Sequence, residues 1–298
     1  MKRLLFIYNP ASGTGRVSGR LPELLEVFTK AGWLTTAYPT QAKGDGARAA
    51  RNLGGQFDRV VCAGGDGTLS EVAGGLMSLD SPPPLGYVPC GSTNDCATTL
   101  RLPKSYRRAA LVASGAGVTA PIDMGLLNGR SFVYVAAFGA FTKVAYDTPQ
   151  DLKRTLGHLA YIVAGIASIP TITPYQLRVE YDGHAIEDSF YFGMVTNALS
   201  IGGIKALKDD RVVLDDGLFE VVLVRKPLSL ADLSNGFQAL INMAPADGSG
   251  ALVRFQASRI TFTASQPLPW TIDGEFGGER QVSQVVNCPR ALEIIRGT

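Results

Sequence analysis

Histidine is nearly absent and cysteine is scarce: the 298-residue chain holds two of the first and four of the second. Cys62, Cys90, Cys96 and Cys288 stand singly, without a CxxC pair, which argues against a zinc ribbon or a disulfide framework. Free thiols in apolar stretches suit a reducing compartment, so a cytoplasmic protein is expected. No HExxH, GxSxG or GxxxxGK[ST] frame occurs, which removes the common zinc-protease, serine-hydrolase and P-loop architectures. An excess of charge is missing too: the net charge of +2 offers nucleic acid no basic field. Long apolar runs are lacking as well. The longest, LAYIVAGIASI at 159–169, is far short of the roughly 20 residues a membrane span needs. At the start, the apolar part of MKRLLFIYNPASG is too short for a signal-peptide core and stops at Asn9-Pro10, so a buried strand is expected.

What is present suits a globular chain of one large or two ordinary domains, with 46% hydrophobic and 18% charged residues. The first part alternates strand and helix signals. LLFIYN, WLTTAY, RVVCA and PLGYVP read as short buried strands, and Leu21, Leu24, Leu25 and Phe28 line one helical face. That rhythm predicts a doubly wound α/β domain over 1–124, whose ligands sit at the carboxyl ends of its strands. Beyond it, FVYVAAF, LRVEY, SFYFGMV, LFEVVLV, VRFQASRITFT and LPWTI read as strands, with hairpin turns at Asn128-Gly129 and Asp182-Gly183. An antiparallel β-sandwich over 125–286 is expected, with a closing strand over 287–298 free to return to the first domain.

The unusual polar stretches fall where such a sheet places its site. GGDGT, Gly64 to Thr68, joins a strand to a helix, as phosphate-cradling turns do, and carries the carboxylate of Asp66. An ordinary turn in which Asp66 caps the following helix is the competing reading. NPASG adds Asn9, Pro10, Ser12 and Gly13, and CGSTND adds Ser92 and Asp95. Asp123, in PIDMG, reads as the end of the last strand of this half. Taken singly, each acid is an unremarkable cap. Jointly, Asp66, Asp95 and Asp123 on one sheet edge call for a hard cation, Mg²⁺, shared with phosphate oxygens. A kinase acting on an alcohol also needs a base, and TIDGEF offers Asp273 and Glu275, although Asp-Gly there is equally a hairpin pair.

NPASG, GGDGT, PCGSTND, PIDMG, LDDGLFEV and TIDGE, in this order over essentially the whole chain, resemble the bacterial diacylglycerol kinase and lipid kinase family. The resemblance implies an α/β nucleotide-binding domain, a β-sandwich and an active site in the cleft between. It implies ATP held by Asn9 to Gly13, Thr40, Gly64, Gly65, Asp66, Gly67, Thr68, Ser70 and Glu71, with Ser92 beside the phosphates. Asp66, Asp95 and Asp123 would organise the catalytic Mg²⁺ and its waters, and Glu275 would deprotonate the lipid hydroxyl. Asp216, with the carbonyls of Val213 and Leu218, would hold a second, structural Mg²⁺. Where the family often has threonine, an aromatic and an aspartate, this chain has Ser92, Cys96 and Phe141.

The expected activity is therefore transfer of a phosphoryl group from ATP to a lipid alcohol, diacylglycerol first. The enzyme would be peripheral to the membrane, and Lys153, Arg154 and the apolar run to 169 would either dock on the bilayer interface or form a buried helix of the second domain; a homodimer is compatible with this. Two rivals stay open: a kinase of a soluble substrate such as NAD, since GGDG occurs there too, and a nucleotide-binding regulator without catalysis.

Overall fold

The computed structural model describes residues 1–13, 16–91, 94–139, 173–198, 200–201, 204–205, 213–225 and 252–298. It divides into two units, Met1–Met124 with Pro289–Thr298, and Gly125–Cys288.

In the first unit, β1 (Lys2–Tyr8), β2 (Trp33–Pro39), β3 (Arg59–Gly64) and β4 (Leu85–Pro89) pair in parallel in the order β2-β1-β3-β4. The central strands are buried almost without interruption, the pattern of a sheet covered on both faces. Helices α1 (Arg16–Lys30), α2 (Asp45–Leu53), α3 (Asp66–Leu76), α4 (Asp95–Thr99) and α5 (Tyr106–Leu111) connect or follow them. On α1, Leu24 and Phe28 are fully buried and Leu21 and Leu25 half-buried, so the apolar stripe points to the sheet. The Phe28 ring meets that of Phe6 edge-on at 5.1 Å.

The second unit is built from antiparallel strands. They include β6 (Arg130–Phe132), β7 (Val135–Gly139), β8 (Tyr175–Tyr181), β9 (His184–Thr196), β12 (Phe219–Arg225), β13 (Leu252–Ala257) and β14 (Arg259–Ile272). The two-residue strands β10 (Ser200–Ile201) and β11 (Ile204–Lys205) form a separate small ladder. The main order is β13-β12-β9-β7-β14, with β8 bridging β9 and β14. Two strands have residues in both units: β5 (Val118–Leu127), which pairs with β6, and β15 (Glu275–Arg296), which pairs with β14. At its far end β15 pairs in parallel with β4, Ile294 opposite Leu85.

The core of this unit centres on Trp270, whose ring lies 5.1 Å from Phe138 and 5.1 Å from Phe262. Its indole nitrogen is satisfied by donating to Ser283 Oγ at 2.9 Å. Asn128-Gly129, Asp182-Gly183 and Asp273-Gly274 all have positive φ at both positions, as a type I′ hairpin turn requires. Two strand expectations are corrected. FVYVAAF is interrupted at Val133 and Tyr134, between β6 and β7. VRFQASRITFT is not one strand but breaks at Ser258 into β13 and β14, and β14 runs on through LPWTI.

Candidate active site

Three turns at the carboxyl ends of neighbouring parallel strands meet in the first unit. After β1, the Asn9 amide donates to Ala63 O at 2.9 Å, while its own Oδ1 accepts from Ala11 N at 2.9 Å. Ser12 N closes the turn on Asn9 O at 3.2 Å, and Pro10 and Ser12 are half-buried. Gly13 has φ +60°, and a Cβ there would stand 2.5 Å from the Cys90 carbonyl oxygen, so the first turn lies directly against the third. The second and third are as close: a Cβ on Gly91 would stand 2.7 Å from Gly65 Cα. Cys90 N donates to Gly64 O at 2.7 Å, tying the ends of β4 and β3 together. Beside them, Thr40 N donates to Tyr8 O at 2.9 Å.

Helix α3 starts at Asp66, immediately past the β3 turn, with Thr68 N and Leu69 N donating to Gly65 O at 3.0 and 3.1 Å. Gly67 and Ser70 occupy its first turn, where backbone amides and the helix dipole favour an anion. The competing reading of Asp66 as a cap of its own helix fails in an instructive way. Its carboxylate instead accepts from Asp95 N at 3.0 Å and Cys96 N at 3.2 Å, the opening amides of α4. Asp66 therefore locks the second turn to the third.

The acids do not all stand where the sequence suggests. Asp95 opens α4 and is 3% exposed. Asp123 is not at a strand end but inside β5, fully buried, with Oδ1 accepting from Arg290 N at 2.7 Å. Among the described residues, no three of His, Cys, Asp and Glu gather as a metal-holding group. An oxygen donor set of one or two carboxylates, completed by phosphates and water, still fits Mg²⁺; a cage of three carboxylates does not. Glu71, expected at the nucleotide, accepts from Gly44 N at 2.7 Å and Gly46 N at 3.2 Å through its two oxygens, so it also holds the start of α2. Ser92, Phe141 and the segment 153–169 lie outside the described residues.

In the second unit, the two acids of TIDGEF separate into different tasks. Asp273 is 4% exposed and accepts three backbone amides, from Val133 at 2.8 Å and from Tyr134 and Val135 at 3.0 Å each. It is a structural anchor of the turn. Glu275, the first residue of β15, is half-buried and meets Arg130 Nη2 at 3.4 Å, while Arg130 Nη1 donates to Phe276 O at 2.6 Å. Sequence reasoning missed Arg130, whose partners lie 145 and 146 residues away.

At LDDGLFEV, Asp216 Oδ1 accepts from Leu218 N at 3.0 Å, and Val213 is exposed. Two residues past Leu218, Glu220 Oε1 accepts from Gln256 Nε2 at 3.1 Å, but Oε2 is buried without a hydrogen-bond partner. Burial, with the nearby charge of Asp216, pushes the Glu220 carboxyl up to about 7. An orphaned acid oxygen beside Asp216 is the situation a divalent cation would relieve, so these residues fit such an ion.

Parallel-sheet turns converging on a helix N-terminus, followed by an antiparallel sandwich, define a two-domain architecture shared with a family of phosphotransferases. Residues 3–127 match the family model "Diacylglycerol kinase catalytic domain", and residues 135–296 match "YegS C-terminal NAD kinase beta sandwich-like domain". The chain is 34% identical over 296 residues to a protein named diacylglycerol kinase from Bacillus subtilis (strain 168), covering 99% of this chain and 96% of that one. A namesake from Staphylococcus aureus (strain MRSA252) is 35% identical over 297 residues, covering 98% and 92%. The chain belongs to the bacterial diacylglycerol kinase and lipid kinase family, and it is a kinase. Its fold is also that of a crystal structure titled a putative diacylglycerol kinase from Bacillus anthracis, with a TM-score of 0.85 at 23% identity, covering 99% and 95% of the two chains. No described helix is long and apolar enough to cross a membrane.

Proposed function

We propose that this kinase transfers the γ-phosphate of ATP to a lipid hydroxyl, diacylglycerol being the acceptor its named relatives indicate. The observation that carries the reading is the meeting of the three turns around Asp66 at the start of α3. Close glycine backbones leave room for phosphates, the helix start supplies amides, and an acid stands beside them. Asn9, Pro10, Ser12, Gly13 and Thr40 bound the nucleotide, Gly64 to Ser70 hold its phosphates, and Ser92 adds a hydroxyl. Mg²⁺, when bound with the nucleotide, neutralises charge on the transferring group. Asp66 faces that charge, and Asp95 and Asp123 orient water and neighbouring amides. Glu275 takes the proton from the attacking hydroxyl at its carboxylate oxygen. Asp216, with the Val213 and Leu218 carbonyls, holds a structural Mg²⁺. A diacylglycerol acceptor resides in a bilayer, so catalysis takes place at a membrane surface that the protein contacts transiently.

The test is incubation with labelled ATP and Mg²⁺ against dispersed diacylglycerol, other lipid alcohols and NAD, with chromatography of the products. Labelled phosphatidic acid is the expected product. Labelled NADP with no lipid product would establish the soluble-substrate alternative instead.

A further inference from the structure

Tyr87 is a polar side chain in a place where a buried parallel strand ordinarily carries an aliphatic one. It lies in β4, has no exposed surface, and its hydroxyl reaches 3.2 Å from Gly64 O and 3.3 Å from Asn94 Oδ1. Gly64 ends β3 at the second turn, and Asn94 closes the third, so one hydroxyl spans both from beneath. Burial, and next the negative charge of Asp66, raise this phenol well above its ordinary range, so it stays a protonated donor. A phenol has one proton, so the hydroxyl serves one acceptor at a time.

The link continues from Asn94 towards the acid. Asn94 is left-handed, with φ 54° and ψ 53°, and its side chain makes a closed pair with Gly91: Oδ1 accepts from Gly91 N at 2.8 Å and Nδ2 donates to Gly91 O at 2.7 Å. The next two residues, Asp95 and Cys96, deliver the amides that hold the Asp66 carboxylate. Sequentially, then, Tyr87 sets Asn94, Asn94 sets the start of α4, and α4 aims Asp66.

We propose that Tyr87 is a positioning residue of the phosphate-holding turns, fixing through Asn94 the orientation of Asp66 towards a magnesium-bound nucleoside triphosphate. This rests on the reading that those turns bind the nucleotide. Tyr87→Phe is a clean probe because it strands no acceptor: Gly64 O keeps Cys90 N, and Asn94 Oδ1 keeps Gly91 N.

The experiment measures MgATP binding by calorimetry and initial rates with dispersed diacylglycerol, for wild-type chain, Tyr87→Phe and Asn94→Gly. Glycine accepts the left-handed backbone of position 94 while removing its side-chain bonds. Both variants are expected to raise the nucleotide Kd and KM about fivefold or more, the equivalent of one lost hydrogen bond, with the lipid KM within about twofold of wild type. The melting temperature without nucleotide should hold within ~2 °C for Tyr87→Phe. Unchanged nucleotide Kd and KM in both variants would overturn the proposal. So would a fall in melting temperature with both KM values rising together, the mark of a merely structural tyrosine. Should Tyr87→Phe fail to fold, Asn94→Gly decides by the same split. A wild-type chain that binds no MgATP would overturn the nucleotide reading itself, which separates that failure from this one.

Discussion

Asp66 carries two burdens on one carboxylate. It receives two amides of α4, and in the proposed reaction it faces the metal-bound triphosphate. Asp66→Ala removes both at once. Turnover should become undetectable, and the Mg²⁺ dependence of nucleotide binding should vanish; binding that still strengthens with Mg²⁺ as in wild type would remove the metal role. Losing the cap of α4 costs about 1 kcal/mol besides, which is too little to unfold the chain. Glu275 differs, because its side chain is 35% exposed and its contact with Arg130 is long and screened, so the pair adds little to stability. Glu275→Gln should therefore fold and bind nucleotide normally while kcat drops about 10²–10⁴-fold, the usual worth of a general base. A variant turning over at the wild-type rate would mean that another group takes the proton.

At the scale of elements, the Asp273-Gly274 hairpin shows how an anchor and a candidate base share one motif. Three consecutive amides, two in the β6–β7 connection and one at the start of β7, converge on the Asp273 carboxylate, which is almost wholly buried. Asp273→Ala would leave those donors unmet and place alanine at φ 47°, costing on the order of 3–5 kcal/mol. In a Trp33→Phe background, where Trp270 is the sole indole, the urea midpoint followed by fluorescence should fall accordingly; a midpoint unchanged within error would remove the anchor role. Local pattern made much of this architecture readable: the apolar face of α1, the buried runs of β1, β3 and β4, and the asparagine- and aspartate-glycine hairpins. What stayed hidden depends on distant partners. No spacing reveals that Glu71 serves Gly44 and Gly46, or that Asp66 caps a helix opening 29 residues later. Asp123 read as a terminator because a charge in an apolar run suggests a strand end. The true terminator is Asn128-Gly129, and the Arg290 amide satisfies the buried acid across the ladder.

For the molecule as a whole, ligand linkage offers the test that joins metal, nucleotide and fold. Each unit holds one tryptophan: Trp33 is buried in β2 with its indole nitrogen donating to Ser114 O at 2.7 Å, and Trp270 sits in the core of the second unit. A ligand that binds only the folded form stabilises it by RT ln(1 + [L]/Kd), about 2.7 kcal/mol at a hundredfold excess over Kd. If the three turns hold MgATP, that stabilisation must act on the unit that carries them. In a Trp270→Phe background, the unfolding transition reported by Trp33 should rise with MgATP to about this extent. Chelating the metal at the same ATP concentration should remove most of the gain, because close acids repel a bare triphosphate that no cation neutralises. An equal rise in the presence of chelator would show that the site binds ATP without a metal. No rise at saturating MgATP would show that the triphosphate does not bind the folded first unit at all, and the phosphate reading of its turns would fall with it.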